Sequence, residues 1–165
     1  MWAQDTTSQT TMVPFTPDTT KDIIVDDGTV GFWTDGYWSF SISQPGFWGR
    51  GYLSHEKGSG SAKAYWVPVI RQAGDYEIYI SYTPHSNRAS NASYLIQYAG
   101  GTTTRIVNQK LDTGNYWVSL GTYPFSTDTS GIITLTDRAD GYVIADAMVF
   151  RMVKETKSPV NSPKK

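Results

Sequence analysis

The sequence predicts an all-β fold, a two-sheet antiparallel β-sandwich of the jelly-roll kind, from three observations. Short runs rich in β-branched and aromatic residues follow one another from Gly58 to Phe150. Several alternate apolar with polar residues at period two, and each is bounded by Gly, Pro, Asn or Asp. Helical periodicity with capping signals is absent from the same stretch.

The expected strands follow in order. Ser61–Ile70 and Gly74–Tyr82 alternate small or polar residues with aromatic and β-branched ones. Ser93–Ala99 and Thr102–Val107 flank Ala99-Gly-Gly-Thr102, a tight-turn candidate for a hairpin. Tyr116–Leu120, Gly131–Thr136 and Tyr142–Phe150 complete the series. Seven to eleven short strands near ten residues apart suit a sandwich or a barrel, and the sandwich is the favoured reading.

At 165 residues the chain has room for one ordinary domain. The reading is a flexible leader over 1–20, a β-sandwich over 21–153 and a linker or tail over 154–165. The leader is rich in Thr, Ser and Gln, and the end is polar, Pro-containing and lysine-rich. Met1-Trp-Ala-Gln-Asp5 reads either as the stub of a signal-peptidase site or as a cloning remnant. The first alternative predicts a secreted or cell-surface protein.

A net charge of −1 and scattered basic residues argue against nucleic acid as a partner. Cysteine is absent, which removes disulfides, thiolate nucleophiles and Cys-ligated metals. His55 and His85 are the two imidazoles and lack metal-ligand spacing. No apolar run is long enough to span a membrane as a helix.

Six Trp, eleven Tyr and six Phe are more than a small core can hold with every indole N–H and phenol O–H satisfied, so some must face solvent. Trp33 and Trp48 lie in Gly-rich segments that present rings at the surface. Planar rings suit sugars, whose axial C–H patches stack on π faces while Asn, Asp, Arg and Gln meet the hydroxyl rim. Trp38 and Phe40, two apart, are expected to point together into the core.

A polar loop, Thr83–Ser93, gathers His85, Asn87, Arg88 and Asn91. Arg88 has the fork to grip an acidic sugar, and the plainer alternative is Asx turns with an Arg88 ion pair. Asn91-Ala92-Ser93 also matches a glycosylation sequon. A third cluster is Tyr116, Trp117, Asp140 and Tyr142. Trp117 alternates with Val118 and Leu120, so it is read as outward, either a ligand platform or a ring packed under a loop.

The blocks Gly58-Ser-Gly-Ser-Ala-Lys-Ala-Tyr-Trp-Val-Pro68, Ala73-Gly-Asp-Tyr-Glu-Ile-Tyr-Ile80, Ser86–Tyr94, Asn115–Tyr123 and Gly141–Phe150 together resemble the golvesin and xanthan-lyase carbohydrate-binding-like domain family. The resemblance covers about residues 22–152. More distantly the layout is similar to galactose-binding jelly-roll carbohydrate modules. That likeness implies a structural calcium and a sugar cleft at the loop end, with Trp117 as the stacking ring. Those modules place an Asn two residues before the last-strand Asp. Ile144 stands there before Asp146, which shifts the expected contacts toward Asn87, Arg88 and Asn91.

Catalysis is not expected. The carboxylates sit beside Gly or at strand ends, and Gly58-Ser-Gly-Ser-Ala lacks the nucleophile-elbow pattern. No cofactor is required, and calcium is the one candidate ion, held by Asp26 or Asp27 with Asp146 where first and last strands pair. The leading function is a non-catalytic module binding a polysaccharide or glycan, attached to a catalytic or surface domain. The alternatives are a structural or protein-interaction β-sandwich and, third, a small polysaccharide hydrolase.

Overall fold

The computed structural model describes residues 15–112, 114 and 117–156. Twelve strands run in order: β1 (Ile23–Val25), β2 (Phe32–Asp35), β3 (Ser39–Ser41), β4 (Tyr52–His55), β5 (Lys63–Trp66), β6 (Gly74–Ser81), β7 (Ala92–Tyr98), β8 (Gly101–Val107), β9 (Trp117–Phe125), β10 (Ile132–Thr136), β11 (Val143–Ala145) and β12 (Met148–Glu155). The fold is an all-β sandwich, with no helix among the described residues. None is therefore present to cross a membrane, which leaves strands out of account.

Two sheets carry the sandwich, in the orders β1-β12-β6-β9 and β2-β5-β10-β7-β8, and a third, β11-β4-β3, closes one part of it. Their inner faces meet in one core. Ile78, Ile80, Leu120 and Phe150 come from the first sheet, Trp66, Tyr94, Ile96 and Leu135 from the second, and Tyr52 and Ile144 from the third. Each such side chain contributes roughly 1.5–3 kcal/mol by leaving water. The alternation in sequence becomes alternation in burial along β5 and β7.

The β7–β8 hairpin turns where the glycines predict, with Gly100 at φ 94°, a backbone that a side chain strains. Three expected strands differ from the structure, the first being Ser61–Ile70, which shortens to β5 at Lys63–Trp66. The one read as Tyr116–Leu120 extends to Phe125 and includes Pro124, which is tolerated because β9 is an edge strand. Tyr142–Phe150 splits into β11 and β12, which lie in different sheets. At the break, Trp66 Nε1 donates to the Asp146 carbonyl (2.9 Å) and Ser81 N to the Ala147 carbonyl (3.0 Å).

Strands β1 to β4 lie in a region where Gly and aromatic residues hide the period-two signal. Phe15, within the stretch read as a leader, is buried, and β12 runs through Glu155. Residues 1–14 and 157–165, with the signal-peptidase reading at Met1–Asp5, lie outside the described residues. Trp38 and Phe40 do not share a direction. Trp38 precedes β3 and is buried, donating Nε1 to the Asp35 carbonyl (3.2 Å), while Phe40 is 59% exposed.

Candidate functional site

The polar loop and the start of β11 fold against each other through backbone. Ala89 N donates to the Tyr142 carbonyl (2.6 Å) and Tyr142 N to the Asn87 carbonyl (3.1 Å). Asp140 caps the junction. Its carboxylate accepts Ser90 N (2.7 Å) and the Ser90 hydroxyl, and its own N–H donates to Asn91 Oδ1 (2.9 Å). These bonds hold the Asp140 carboxyl below its usual range. Asn87, Arg88, Asn91, Asp140 and Tyr142, read in the sequence as two separate clusters, are thus brought together.

Arg88 corrects its expected role. It is 5% exposed, and its guanidinium donates inward to the Thr83 carbonyl (2.9 Å), Thr83 Oγ1 (2.9 Å), Tyr52 Oη (3.2 Å) and Asn87 Oδ1 (3.0 Å). It also sits over the Tyr52 ring at 5.5 Å. These bonds take up its donors, and no Asp or Glu among the described residues pairs with it. The loop needs a buried five-donor hub, and Arg supplies one.

Beside this hub, Tyr142 Oη donates to Glu56 Oε1 (3.1 Å), and the two line a 300 Å³ pocket with Tyr37, Ser39, Ser54 and His55. Tyr37 is 83% exposed, so its ring is free to stack. Trp38 backs His55, with ring centroids 5.3 Å apart. His55 Nδ1 lies 2.7 Å from the Glu56 carbonyl, an acceptor, so the proton belongs on Nδ1 and Nε2 remains as an acceptor in the neutral ring. Asp137, 3.5 Å away, flanks the same nitrogen. Sequence reasoning missed Tyr37, His55 and Glu56 as site residues. Cross-strand pairing of β3 with β4 and β4 with β11 assembles them, and no local spacing encodes that.

A larger, 1080 Å³ concavity lies between residues 16–23 and 69–76. Lys21 and Arg71 line it beside an internal network in which Arg151 pairs with both oxygens of Asp22 at 3.0 and 2.7 Å and Asp18 accepts from Thr20. The smaller pocket keeps its polar groups and an exposed ring, and is the better candidate for a ligand.

The tryptophans divide. Trp33 is 45% exposed and stacks on Tyr65, centroids 5.0 Å apart and planes at 20°, on the outer face of the second sheet. Trp117 faces away from Val118 as its alternation requires, yet it is 7% exposed, which corrects its reading as a ligand platform. Phe15, stacked on Tyr79 at 3.7 Å, covers it edge-on at 5.6 Å, and Trp48 covers it at 5.7 Å. Trp48 is therefore a partly buried lid on this second cluster. Tyr116 lies outside the described residues.

Asp26, Asp27 and Asp146 converge, each offering a carboxylate oxygen within 4.8 Å of the others. Val25 pairs with Met148, so β1 and β12 bring the three together. Thr29 closes the turn after β1, accepting Asp26 N (3.0 Å) and donating to the Asp26 carbonyl (2.9 Å). Asp146 accepts Trp48 N (2.8 Å) and the Ser81 hydroxyl (2.6 Å) on Oδ2. Oδ1 of Asp146 and Oδ1 of Asp27 are buried and have no protein hydrogen-bond partner. Gly49, at φ +67°, admits the Asp26 carboxylate to within 2.3 Å of where a Cβ would stand. Burial, then the neighbouring carboxylates, pushes Asp27 up to about 7 and Asp146 up to about 9. Burial also raises Asp26. Three hard oxygens around orphaned atoms fit a calcium ion.

The Golvesin C-terminal domain family matches residues 23–152. This chain belongs to that family. The golvesin-type domain is 32% identical over 142 residues to a xanthan lyase of Bacillus sp. (strain GL1), a match spanning 83% of this chain and 15% of the lyase. The structure of Paenibacillus xanthan lyase superposes with a TM-score of 0.76 at 33% identity, over 81% of this chain and 13% of the lyase. The CBM35 of Cellvibrio japonicus Abf62 superposes with a TM-score of 0.57 at 19% identity, over 80% of this chain and 97% of the module. The golvesin-type domain thus has the fold of carbohydrate-binding modules and spans a small part of the lyases it matches.

Proposed function

We propose that this domain binds glycans without transforming them, as an accessory module joined to a catalytic or surface domain of an exported protein. The observation that carries the reading is the pocket where exposed Tyr37 faces Glu56, His55 and Tyr142. It pairs a stacking ring with hydrogen-bond acceptors, the combination a pyranose needs. The chain's similarity to part of a xanthan lyase, and the fold it shares with a carbohydrate-binding module, support the reading. One carboxylate, Glu56, lines the pocket, whereas glycoside hydrolysis ordinarily uses two acids on either side of the bond. Linked to an enzyme, weak binding here raises the local concentration of polymer at the neighbouring domain.

Asp26, Asp27 and Asp146 would hold a calcium ion in a structural role, pinning the turn after β1 and the Trp48 loop to the start of β12. The ion would supply charge neutralisation for three crowded carboxylates.

Affinity electrophoresis over neutral and anionic polysaccharides, with Tyr37→Ala alongside, tests the reading. Retardation by at least one polymer, lost in the variant, is expected. Turnover of a polysaccharide by the isolated domain would instead indicate a hydrolase.

The stacked Trp33–Tyr65 pair, with Leu95 38% exposed on the same sheet face, favours a second reading in which that face docks a neighbouring domain. Dimerisation or docking lost in Trp33→Ala, with glycan retardation absent, would favour it.

A further inference from the structure

Resting on that reading, we propose that the Tyr37 pocket accepts uncharged or amino sugars and rejects uronic acids, with Glu56 as the residue that decides.

The charge balance of the wall carries the argument. Glu56 is exposed, and its Oε1 takes the Tyr142 hydroxyl, which leaves its other oxygen to accept from a ligand. His55, with Nδ1 turned to the Glu56 carbonyl, offers an acceptor at Nε2 when its ring is neutral. Ser39 and Ser54, opposite each other across β3 and β4, offer hydroxyls that donate or accept. The wall is therefore rich in acceptors, and a ligand must donate to it. Sugar hydroxyls do so, and a protonated amine does so with charge assistance.

A carboxylate would need the opposite: a cation or several N–H donors. Arg88 is the natural candidate in sequence, but its guanidinium is turned to Thr83, Tyr52 and Asn87. Arg138, the next guanidinium, donates Nε and Nη2 to the Ser59 carbonyl at 3.2 and 3.0 Å. Neither lines the pocket. A uronate placed there would meet Glu56 with no cation among the lining side chains to pair with it, the Arg88 charge lying behind Tyr142 with its N–H groups already donated, and like charges a few ångströms apart repel even at the high effective dielectric of a surface site. At 300 Å³ the space is of the size of a small-ligand site.

The test is an amide NMR titration of the full 165-residue chain with galactose, galactosamine and galacturonate at low ionic strength. The expected result is saturable shifts at Tyr37, His55 and Tyr142 with galactose and galactosamine. Galacturonate should bind about tenfold more weakly, a gap that narrows with salt. In Glu56→Gln, an exposed substitution checked by spectral dispersion, the galacturonate gap should close. Galacturonate binding those same amides as well as galactose does, or a gap that persists in Glu56→Gln, would overturn the inference while leaving glycan binding intact. Sugar shifts confined to other residues would also overturn the inference alone. No shift with any sugar, together with no retardation by any polysaccharide, would overturn both this inference and the glycan-binding reading.

Discussion

Tyr142 and Glu56, 86 residues apart in sequence, are joined by a 3.1 Å hydrogen bond from phenol to carboxylate. That bond ties the polar loop and β11 to the end of β4, and so fixes one wall of the proposed glycan pocket opposite Tyr37. Because the bond is exposed, its worth lies in orientation more than in stability.

Tyr37→Ala should reduce affinity for a bound oligosaccharide about tenfold, equivalent to ~1.4 kcal/mol of lost stacking. The melting temperature should be unchanged, since the ring is 83% exposed. Calorimetric titration paired with a thermal melt checks both halves.

Trp117→Ala should behave in the opposite way. The ring is sealed by Phe15 and Trp48, so its removal leaves a cavity and costs about 3–5 kcal/mol. Urea denaturation would register this, and glycan affinity of the folded fraction should stay within about twofold of the unsubstituted domain.

Arg88→Ala should destabilise by about 2–4 kcal/mol, because Thr83 and Tyr52 lose buried partners. Arg88→Lys should recover little, since an ammonium cannot span the same four acceptors. Chemical denaturation of the two variants distinguishes this from a surface role, in which both would melt normally.

The carboxylate triad sets a pH dependence. The folded-state values of Asp26, Asp27 and Asp146 are raised, so the native state binds more protons than the unfolded chain. In chelator, stability should therefore be greatest near the unfolded carboxylate value of about 4 and fall as pH rises toward about 9. Calcium at a hundredfold excess over its Kd should restore about 2.7 kcal/mol near neutral pH, and Asp146→Asn should abolish that gain. Melts across pH, with and without chelator, follow both effects.

Strands β5 and β7 were legible because each has one buried face, and β8 because it alternates half-buried with exposed residues beyond a glycine turn; period two survives in such strands. The Asp26–Asp27–Asp146 cluster was legible for a related reason: first and last strands of a sandwich commonly pair, and the acids sit at their ends. Trp117 was placed on the correct face, with packing under a loop one of its two readings, but the residues that cover it were not legible. Phe15 lies 102 positions earlier in a stretch without strand character, and nothing near Trp117 encodes that contact. Arg88 was misread because an exposed-looking polar loop gives no sign that its guanidinium turns inward to Tyr52. Tyr37, His55 and Glu56 were not read as one site because their meeting depends on the short third sheet, whose strands are too brief to show a pattern.

The central claim, that the pocket beside Glu56 holds a glycan, is tested most directly by mapping amide shifts on the unsubstituted chain with a retained oligosaccharide. The account predicts shifts concentrated at Tyr37, Ser39, Ser54, His55, Glu56 and Tyr142, and their loss in Tyr37→Ala. Shifts confined to Trp33, Tyr65 and Leu95, with the pocket silent, would contradict it.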